Sequence, residues 1–372
     1  MSRIAVVADL RRASDPGVHP SNAALAVRRH AFWPELARQH GWDIALHDAA
    51  ALDVPAPPAG FLGSLCWIDL PLLSRSAYRS LAARATSSGA SLVVDTPDDV
   101  ERVLGLDRSY PTLARAGVPT PRTAFVAIDD ATATAIDSPA AVRRLLTERI
   151  YEALFDAGID PHEGVFVRGF SSSVKSADPA YYFGNNQADI EATVFEVIRH
   201  LRGALEVGGL ALREYVDLER IELPPPPGGR GAMRLPFEVR ITVLHGRALL
   251  ASYHGPFDAL LEEPRRNLEA ALVARGGRVE VAVQSLLPRI MTADLPANYV
   301  ADLAFTTRER PVLLELNPLY VLPDATNRGN WNSPVDALRP PGRSGATSSW
   351  SARAVGRLAP WPRGAGSFHL RW

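Results

Sequence analysis

The sequence predicts an α/β fold up to about residue 100 and an α+β arrangement after it. In the first part, apolar runs rich in β-branched residues alternate with helical stretches, which is typical of an open, mostly parallel sheet. Two later segments, 237–254 and 298–319, alternate apolar and polar residues around short turns, which predicts antiparallel hairpins. Between the two parts, Pro119 and Pro121 force the chain into an extended crossing.

The first part is expected to supply four strands and their connecting helices. The strands are expected at 4–9, 42–49, 60–69 and 90–96. Apolar residues at helical spacing predict a helix from Asn22 to His40, which Gly41 ends, and a second helix over 74–89. Two shorter helices over 97–117 then lead out of this part of the chain.

The second part reads as helices and strands separated by polar loops. Helices are expected at 139–158, 189–206 and 269–275, strands at 164–170 and 209–218, and a loop at 171–186. Gly276 and Gly277 are expected to end the third of these helices. The Pro- and Gly-rich stretch 223–236 is predicted to be an exposed linker or a hairpin insertion. Residues 331–372 show weak periodicity and are predicted to be an extended tail.

Composition and charge argue against several functional classes. The 40 basic residues balance 41 acidic ones, for a formal charge of −1, so the main surface is not expected to bind nucleic acid or a membrane. Cys66 is the only cysteine and its surroundings are apolar, which suggests a packed thiol in a reducing compartment. The N-terminal residues resemble neither a signal peptide nor a spanning helix, so a cytoplasmic protein is expected. The nine histidines show no metal-ligand spacing.

Lys175 is the only lysine in a chain whose other basic residues are all arginine. It lies in the polar loop FSSSVKSADP, directly after the predicted strand 164–170. Backbone N–H groups and one compact ammonium charge would suit the gripping of a polyphosphate. The alternative is that drift toward arginine codons left one lysine by chance.

Asp302, Glu315 and Asn317 form the most specific pattern of polar residues. Residues two apart on a strand share a face, so Glu315 and Asn317 are expected to point to the same side of the second hairpin. Asp302 on the partner strand can face them. Two carboxylates and an amide oxygen suit Mg²⁺, although a solvated glutamate before an Asn-Pro turn is the alternative.

Two further segments carry candidate ligand-binding residues. Arg240 alternates with apolar neighbours on its strand, so it is expected on the polar face, where an anion is a plausible partner. The segment LREYVDLERIE places acids, Glu219 among them, just after a strand. Such a connection can present its backbone to an adenine edge and an acid to a ribose, although a solvated turn explains the charges equally well.

Taken in order, these segments resemble the ATP-grasp superfamily of ligases over about residues 85–325. The similarity lies in the linker TPDDVERVLGLDRSYPTLARAGVPTPRT, the strand VFVRGF, the strand LALREYVDL, the hairpin FEVRITVLHGRALLASYH and the segment VADLAFTTRERPVLLELNPL. The FSSSVKS loop is similar to that of a less studied ATP-grasp clade with a Lys-Ser pair. The hairpin with Arg240 resembles that of ribosomal-protein-modifying and glutathione-synthetase-like ligases.

The resemblance implies ATP and Mg²⁺ as cofactors and assigns a role to each candidate residue. Arg108 and Arg168 would contact the nucleotide phosphates, Lys175 would cover the β- and γ-phosphates, Glu214, Tyr215 and Val216 would form the adenine hinge, Arg240 would stabilise the transferred phosphoryl group, and Asp302, Glu315 and Asn317 would hold magnesium. Many members have lysine at the positions of Arg108 and Arg168. Related ligases have a second arginine at the position of His254.

The implied function is a carboxylate–amine ligase that forms an amide bond through an acyl-phosphate. Its substrates would be small molecules or peptides, and a homodimer is possible. The alternatives are a non-catalytic ATP-binding regulatory module and a phosphotransferase of the same fold. The implied architecture is an N-terminal parallel-sheet domain (1–106), a linker and lid subdomain (107–206), a C-terminal metal-binding subdomain (207–330) and the tail (331–372).

Overall fold

A computed structural model describes most of the chain between residues 43 and 318. The described residues are 3–8, 33–34, 43–53, 59–69, 75–134, 140–170, 183–204, 208–225, 231–244, 246–253, 262–318 and 367–369. Among them, no helix has both the length and the apolar character needed to span a membrane.

The first part of the chain forms a four-stranded parallel sheet, as predicted. Its strands are β1 (Arg3–Ala8), β2 (Asp43–Asp48), β3 (Leu65–Asp69) and β4 (Leu92–Val94), in the order β2-β1-β3-β4. Helix α1 (Arg75–Ser87) packs on it through Tyr78 and Leu81. Cys66 lies in this core, where burial raises the pKa of its thiol to about 12, so it is a packed residue. Apart from 33–34, the helix predicted at 22–40 lies outside the described residues.

Two short helices, α2 (Pro97–Leu104) and α3 (Leu106–Arg115), connect this sheet to the rest of the molecule. The Thr96 hydroxyl caps α2 by accepting a hydrogen bond from the Asp99 N–H, and Pro97 fits the first helical turn because it has no N–H to satisfy. Gly117 follows α3 with a φ of 69°, a conformation that favours glycine. Both helices place apolar side chains in one shared apolar core, so the segment that links the two parts of the chain is itself packed.

The second sheet is antiparallel and has four strands. They are β5 (Thr123–Ala127), β6 (Val165–Gly169), β7 (Phe183–Gly184) and β8 (Gly209–Glu214), in the order β5-β8-β6-β7. Helices α4 (Asp130–Thr134), α5 (Ala140–Asp156) and α6 (Gln187–Ala204) follow the strands, and α5 and α6 cover one face through a shared apolar core. Because β8 pairs with β5 and β6, the predicted subdomain boundary at 206/207 separates a strand from its own sheet.

The third sheet is also antiparallel and contains both predicted hairpins. Its strands are β11 (Glu238–Leu244), β12 (Arg247–Tyr253), β13 (Tyr299–Phe305), β14 (Pro311–Asn317) and β15 (Ser367–His369), in the order β14-β13-β11-β12-β15. The Pro- and Gly-rich stretch forms a separate hairpin of β9 (Arg220–Leu223) and β10 (Met233–Pro236). β15, from the predicted tail, pairs antiparallel with β12.

Helix α7 (Glu262–Thr292) covers one face of this third sheet. The prediction that it ends at a glycine pair is wrong. The glycine pair 276–277 does not end a helix, which instead continues for fifteen residues beyond Gly277. Burial explains this, since Leu268, Leu272, Val279 and Leu286 continue the apolar stripe on both sides of the pair. The free energy of packing this stripe outweighs the roughly 1 kcal/mol cost of each helical glycine.

We expect Gly277→Ala to raise the free energy of unfolding by roughly 0.5–1 kcal/mol, because alanine loses less backbone entropy in a helix. An alanine Cβ at this position would have no other heavy atom within 4 Å. Urea unfolding checks the change. Gly246→Ala is the control: its φ is 71° and its Cβ would lie 2.9 Å from the Met291 Cε, so it should destabilise. Loss of stability with Gly277→Ala would contradict the assigned helix.

Candidate active site

A β-bulge decides which side chains of β14 face the second sheet. Asp302 pairs with Glu315 and Leu303 pairs with Leu313, so Leu314 is the extra residue. Leu313 and Leu316, three apart, are both in the apolar core under α7, and Glu315 and Asn317 therefore turn to the opposite face. The bulge brings Glu315 and Asn317 to the face that carries Asp302.

Asp302 and Arg240 form a buried bidentate ion pair on that face. The Arg240 Nε and Nη2 each donate to one Asp302 carboxylate oxygen at 2.7 Å. Asp302 is fully buried and Arg240 is 9% exposed, so water screens the pair poorly. Burial lowers the pKa of Arg240, but the Asp302 charge and hydrogen bonds raise it above its ordinary value. The predicted polar-face arginine is thus a buried charge with a fixed partner.

A second ion pair joins the two antiparallel sheets. Arg168 on β6 donates through its Nη1 to the Glu315 Oε2. The Asn317 Nδ2 donates to the Asp302 Oδ2 at 3.0 Å and to the Glu315 Oε1 at 3.3 Å. Burial lowers the pKa of Arg168, but Glu315 raises it overall. We call these five residues, Arg168, Arg240, Asp302, Glu315 and Asn317, the central cluster.

The carboxylates and the amide of the central cluster fit a hard divalent cation by chemistry. Asp302, Glu315 and Asn317 are close enough to share hydrogen bonds, and their oxygens are the ligands that Mg²⁺ prefers. No group of three or more His, Cys, Asp or Glu side chains with metal-ligand placement occurs among the described residues. Both Asp302 oxygens accept from Arg240 and the Glu315 Oε2 accepts from Arg168, so a cation at these three oxygens would compete with a guanidinium; the Glu315 Oε1 accepts from the Asn317 amide.

Tyr110 and Arg213 extend the central cluster, and sequence reasoning missed both. The Tyr110 hydroxyl donates to the Leu314 carbonyl, which belongs to the bulge. The Arg213 guanidinium lies 5.9 Å from the centre of the Tyr110 ring. On β8, Arg213 follows the buried run Leu210–Leu212 and precedes Glu214, unlike Arg240, which has an apolar residue on each side. The available signal was a charged residue at the end of an apolar strand.

The predicted hinge, Glu214, Tyr215 and Val216, lies where the chain leaves β8 for β9. The Tyr215 N–H donates to the Gly164 carbonyl at 2.9 Å, and the Tyr215 ring stacks near Phe166, with centroids 6.0 Å apart. The Glu214 carboxylate accepts from the Arg122 Nε at 2.6 Å and the Arg122 N–H at 2.7 Å. The Glu214 N–H donates to the Arg122 carbonyl at 3.0 Å, so the side chain and the backbone of Glu214 both fix the end of the strand.

Two predicted nucleotide contacts lie elsewhere. The Glu219 carboxylate accepts hydrogen bonds from Arg275 and Arg278 of α7; burial raises its pKa, but these bonds lower it overall. Arg108 is 54% exposed and lies 3.6 Å from the Glu101 carboxylate. Because Arg108 and Tyr110 are two apart on α3, they leave the helix on nearly opposite sides. Neither Glu219 nor Arg108 contacts the central cluster.

Lys175 and His254 lie outside the described residues, so their predicted roles stay predictions. The chain matches no protein-family model and no curated protein sequence.

Many solved structures resemble the chain, among them three that match it over 90% of its length. D-alanine–D-alanine ligase from Bacillus anthracis is 12% identical with a TM-score of 0.50, covering 90% of this chain and 93% of that chain. A RimK-domain ATP-grasp protein from Sphaerobacter thermophilus is 15% identical with a TM-score of 0.49, covering 90% and 98%. A D-cycloserine synthetase is 16% identical with a TM-score of 0.45, covering 90% and 99%. The structural similarity to the D-alanine–D-alanine ligase shows that this chain has the ATP-grasp fold.

Proposed function

We propose that the protein is an ATP- and Mg²⁺-dependent carboxylate–amine ligase. The central cluster carries this proposal: two carboxylates and an amide suited to a divalent cation lie against two buried guanidinium groups, at the contact between two sheets. A nucleotide held between these sheets would place its phosphates among charges of both signs. The D-alanine–D-alanine ligase with the same fold supports ligation as the reaction class.

In the proposed site, different residues of the chain bind the adenine, the phosphates and Mg²⁺. The hinge at Glu214, Tyr215 and Val216 would hold the adenine, and Arg168 would turn from Glu315 to a phosphate. Asp302, Glu315 and Asn317 would hold Mg²⁺, which when bound neutralises charge on the β- and γ-phosphates. Lys175, which follows β6 in the sequence, would cover the same phosphates and exclude water. Arg108 and Glu219 are left out because of the contacts they make.

The proposed reaction transfers the γ-phosphoryl group of ATP to a substrate carboxylate, giving ADP and an acyl-phosphate. An amine then attacks the acyl carbon, the C–O bond to phosphate breaks, and inorganic phosphate leaves as the amide forms. Arg240 is the guanidinium suited to stabilise the transferred group, because it is already buried beside Asp302.

We expect Mg²⁺-ATP to raise the unfolding temperature of the wild type. A ligand at one hundred times its Kd adds about 2.7 kcal/mol, because it binds only the folded state. Glu315→Gln should lose the metal-dependent part of this shift, each variant being compared with its own unliganded form. Glu148→Gln, at a 65% exposed position of α5, is the matched control and should keep the shift.

The absence of any shift with Mg²⁺-ATP in the wild type would refute the proposal. If the shift is present, a screen of carboxylates with and without amines distinguishes the reactions. Release of ADP that requires both substrates supports a ligase. Release with one acceptor alone identifies a phosphotransferase, and binding without release identifies a regulatory module.

A further inference from the structure

Arg213 is the one guanidinium around the central cluster that has no acidic partner among the described residues. Arg168 pairs with Glu315 and Arg240 pairs with Asp302, whereas the Arg213 guanidinium lies over the Tyr110 ring. Its Nε is buried and makes no hydrogen bond within the described part of the chain. A buried N–H without a partner is costly, which suggests that a ligand atom satisfies it.

Arg213 also shares a sheet face with another cation. On β6 and β8, Phe166 pairs with Arg213 and Arg168 pairs with Ala211. Arg168 and Arg213 are therefore diagonal neighbours on one face, about 7–8 Å apart. The Arg168 Nε is likewise buried without a partner within these strands and their described neighbours. Two like charges on one face repel each other, and an anion between them would remove the repulsion.

The position of Arg213 identifies which anion this is. Arg213 directly precedes Glu214, the first residue of the hinge, and the central cluster begins at Arg168 on the neighbouring strand. In a nucleotide that runs from the hinge toward Asp302, the phosphate nearest the base is the α-phosphate. We infer that Arg213, together with Arg168, binds the α-phosphate of the nucleotide, an inference that rests on the proposed function.

The test is a displacement titration of Mg²⁺-ADP by AMP and by adenosine, on the wild type and Arg213→Gln. AMP should bind the wild type more tightly than adenosine does, because it carries the α-phosphate. Arg213→Gln should lower the affinities for AMP and for ADP by the same factor, about tenfold for one charge-assisted contact. It should leave the affinity for adenosine unchanged. Arg144→Gln, which removes the same charge from an 81% exposed position, should change neither.

The unliganded Arg213→Gln protein is expected to unfold at no lower a temperature than the wild type, because one of two like charges is gone. Equal weakening of AMP and adenosine would overturn the inference by placing Arg213 on the base or ribose. Unchanged AMP binding would overturn it as well. A wild type that binds no nucleotide would refute the proposed function itself, which distinguishes the two failures.

Discussion

Asp302→Asn is expected to lower the free energy of unfolding by about 3–5 kcal/mol, which is the usual cost of removing one partner of a buried ion pair. Asp302 is fully buried and accepts both hydrogen bonds of the Arg240 fork. Asparagine leaves Arg240 charged and desolvated, since a guanidinium does not lose its proton at neutral pH. A change of this size is a large fraction of the 5–15 kcal/mol stability of a typical domain.

Urea unfolding of a double-mutant cycle measures this effect. Arg240→Gln in the Asp302→Asn background should recover much of the stability, because no charge is then left buried without a partner. Asp294→Asn is the matched control: its ion pair with Arg102 is exposed, so its stability should change little. A loss for Asp302→Asn no larger than that of the control would contradict the buried pair.

Nucleotide is expected to strengthen divalent cation binding by about 100-fold, within the usual range of coupling between sites. Without nucleotide, the carboxylate oxygens of Asp302 and Glu315 accept hydrogen bonds from Arg168, Arg240 and Asn317. A cation that binds alone competes with Arg168 and Arg240 for these oxygens. Phosphates would give both arginines a new partner, so the carboxylates become available when the nucleotide is present.

Electron paramagnetic resonance with Mn²⁺ in place of Mg²⁺ measures the affinity with and without ADP. Coupling is reciprocal, so Mn²⁺ must strengthen ADP binding by the same factor. Arg168→Gln removes one competing guanidinium and should raise the affinity for Mn²⁺ alone. Equal Mn²⁺ affinity with and without ADP would show that the ion pairs do not compete with the cation for the carboxylates.

Local periodicity predicted the two hairpins of the third sheet and the two short helices after residue 96, because each depends on residues close together in the chain. The spacing of Glu315 and Asn317 was enough to place them on one side of a strand. The same reasoning failed at Gly276–Gly277, where burial of the stripe on α7 overrides the weak helix propensity of glycine.

Tertiary structure alone decided which charges meet. Arg168 and Glu315 are 147 residues apart and Arg240 and Asp302 are 62 apart, so neither pair can be predicted from a local sequence pattern. The bulge at Leu314, which turns Glu315 away from the core, comes from pairing with β13. The sequence by itself determined which residues could form the site, since residue type and alternation are local properties. Packing between the sheets determined which of them do, because Arg168 and Glu315 lie on different sheets and meet only when these pack together.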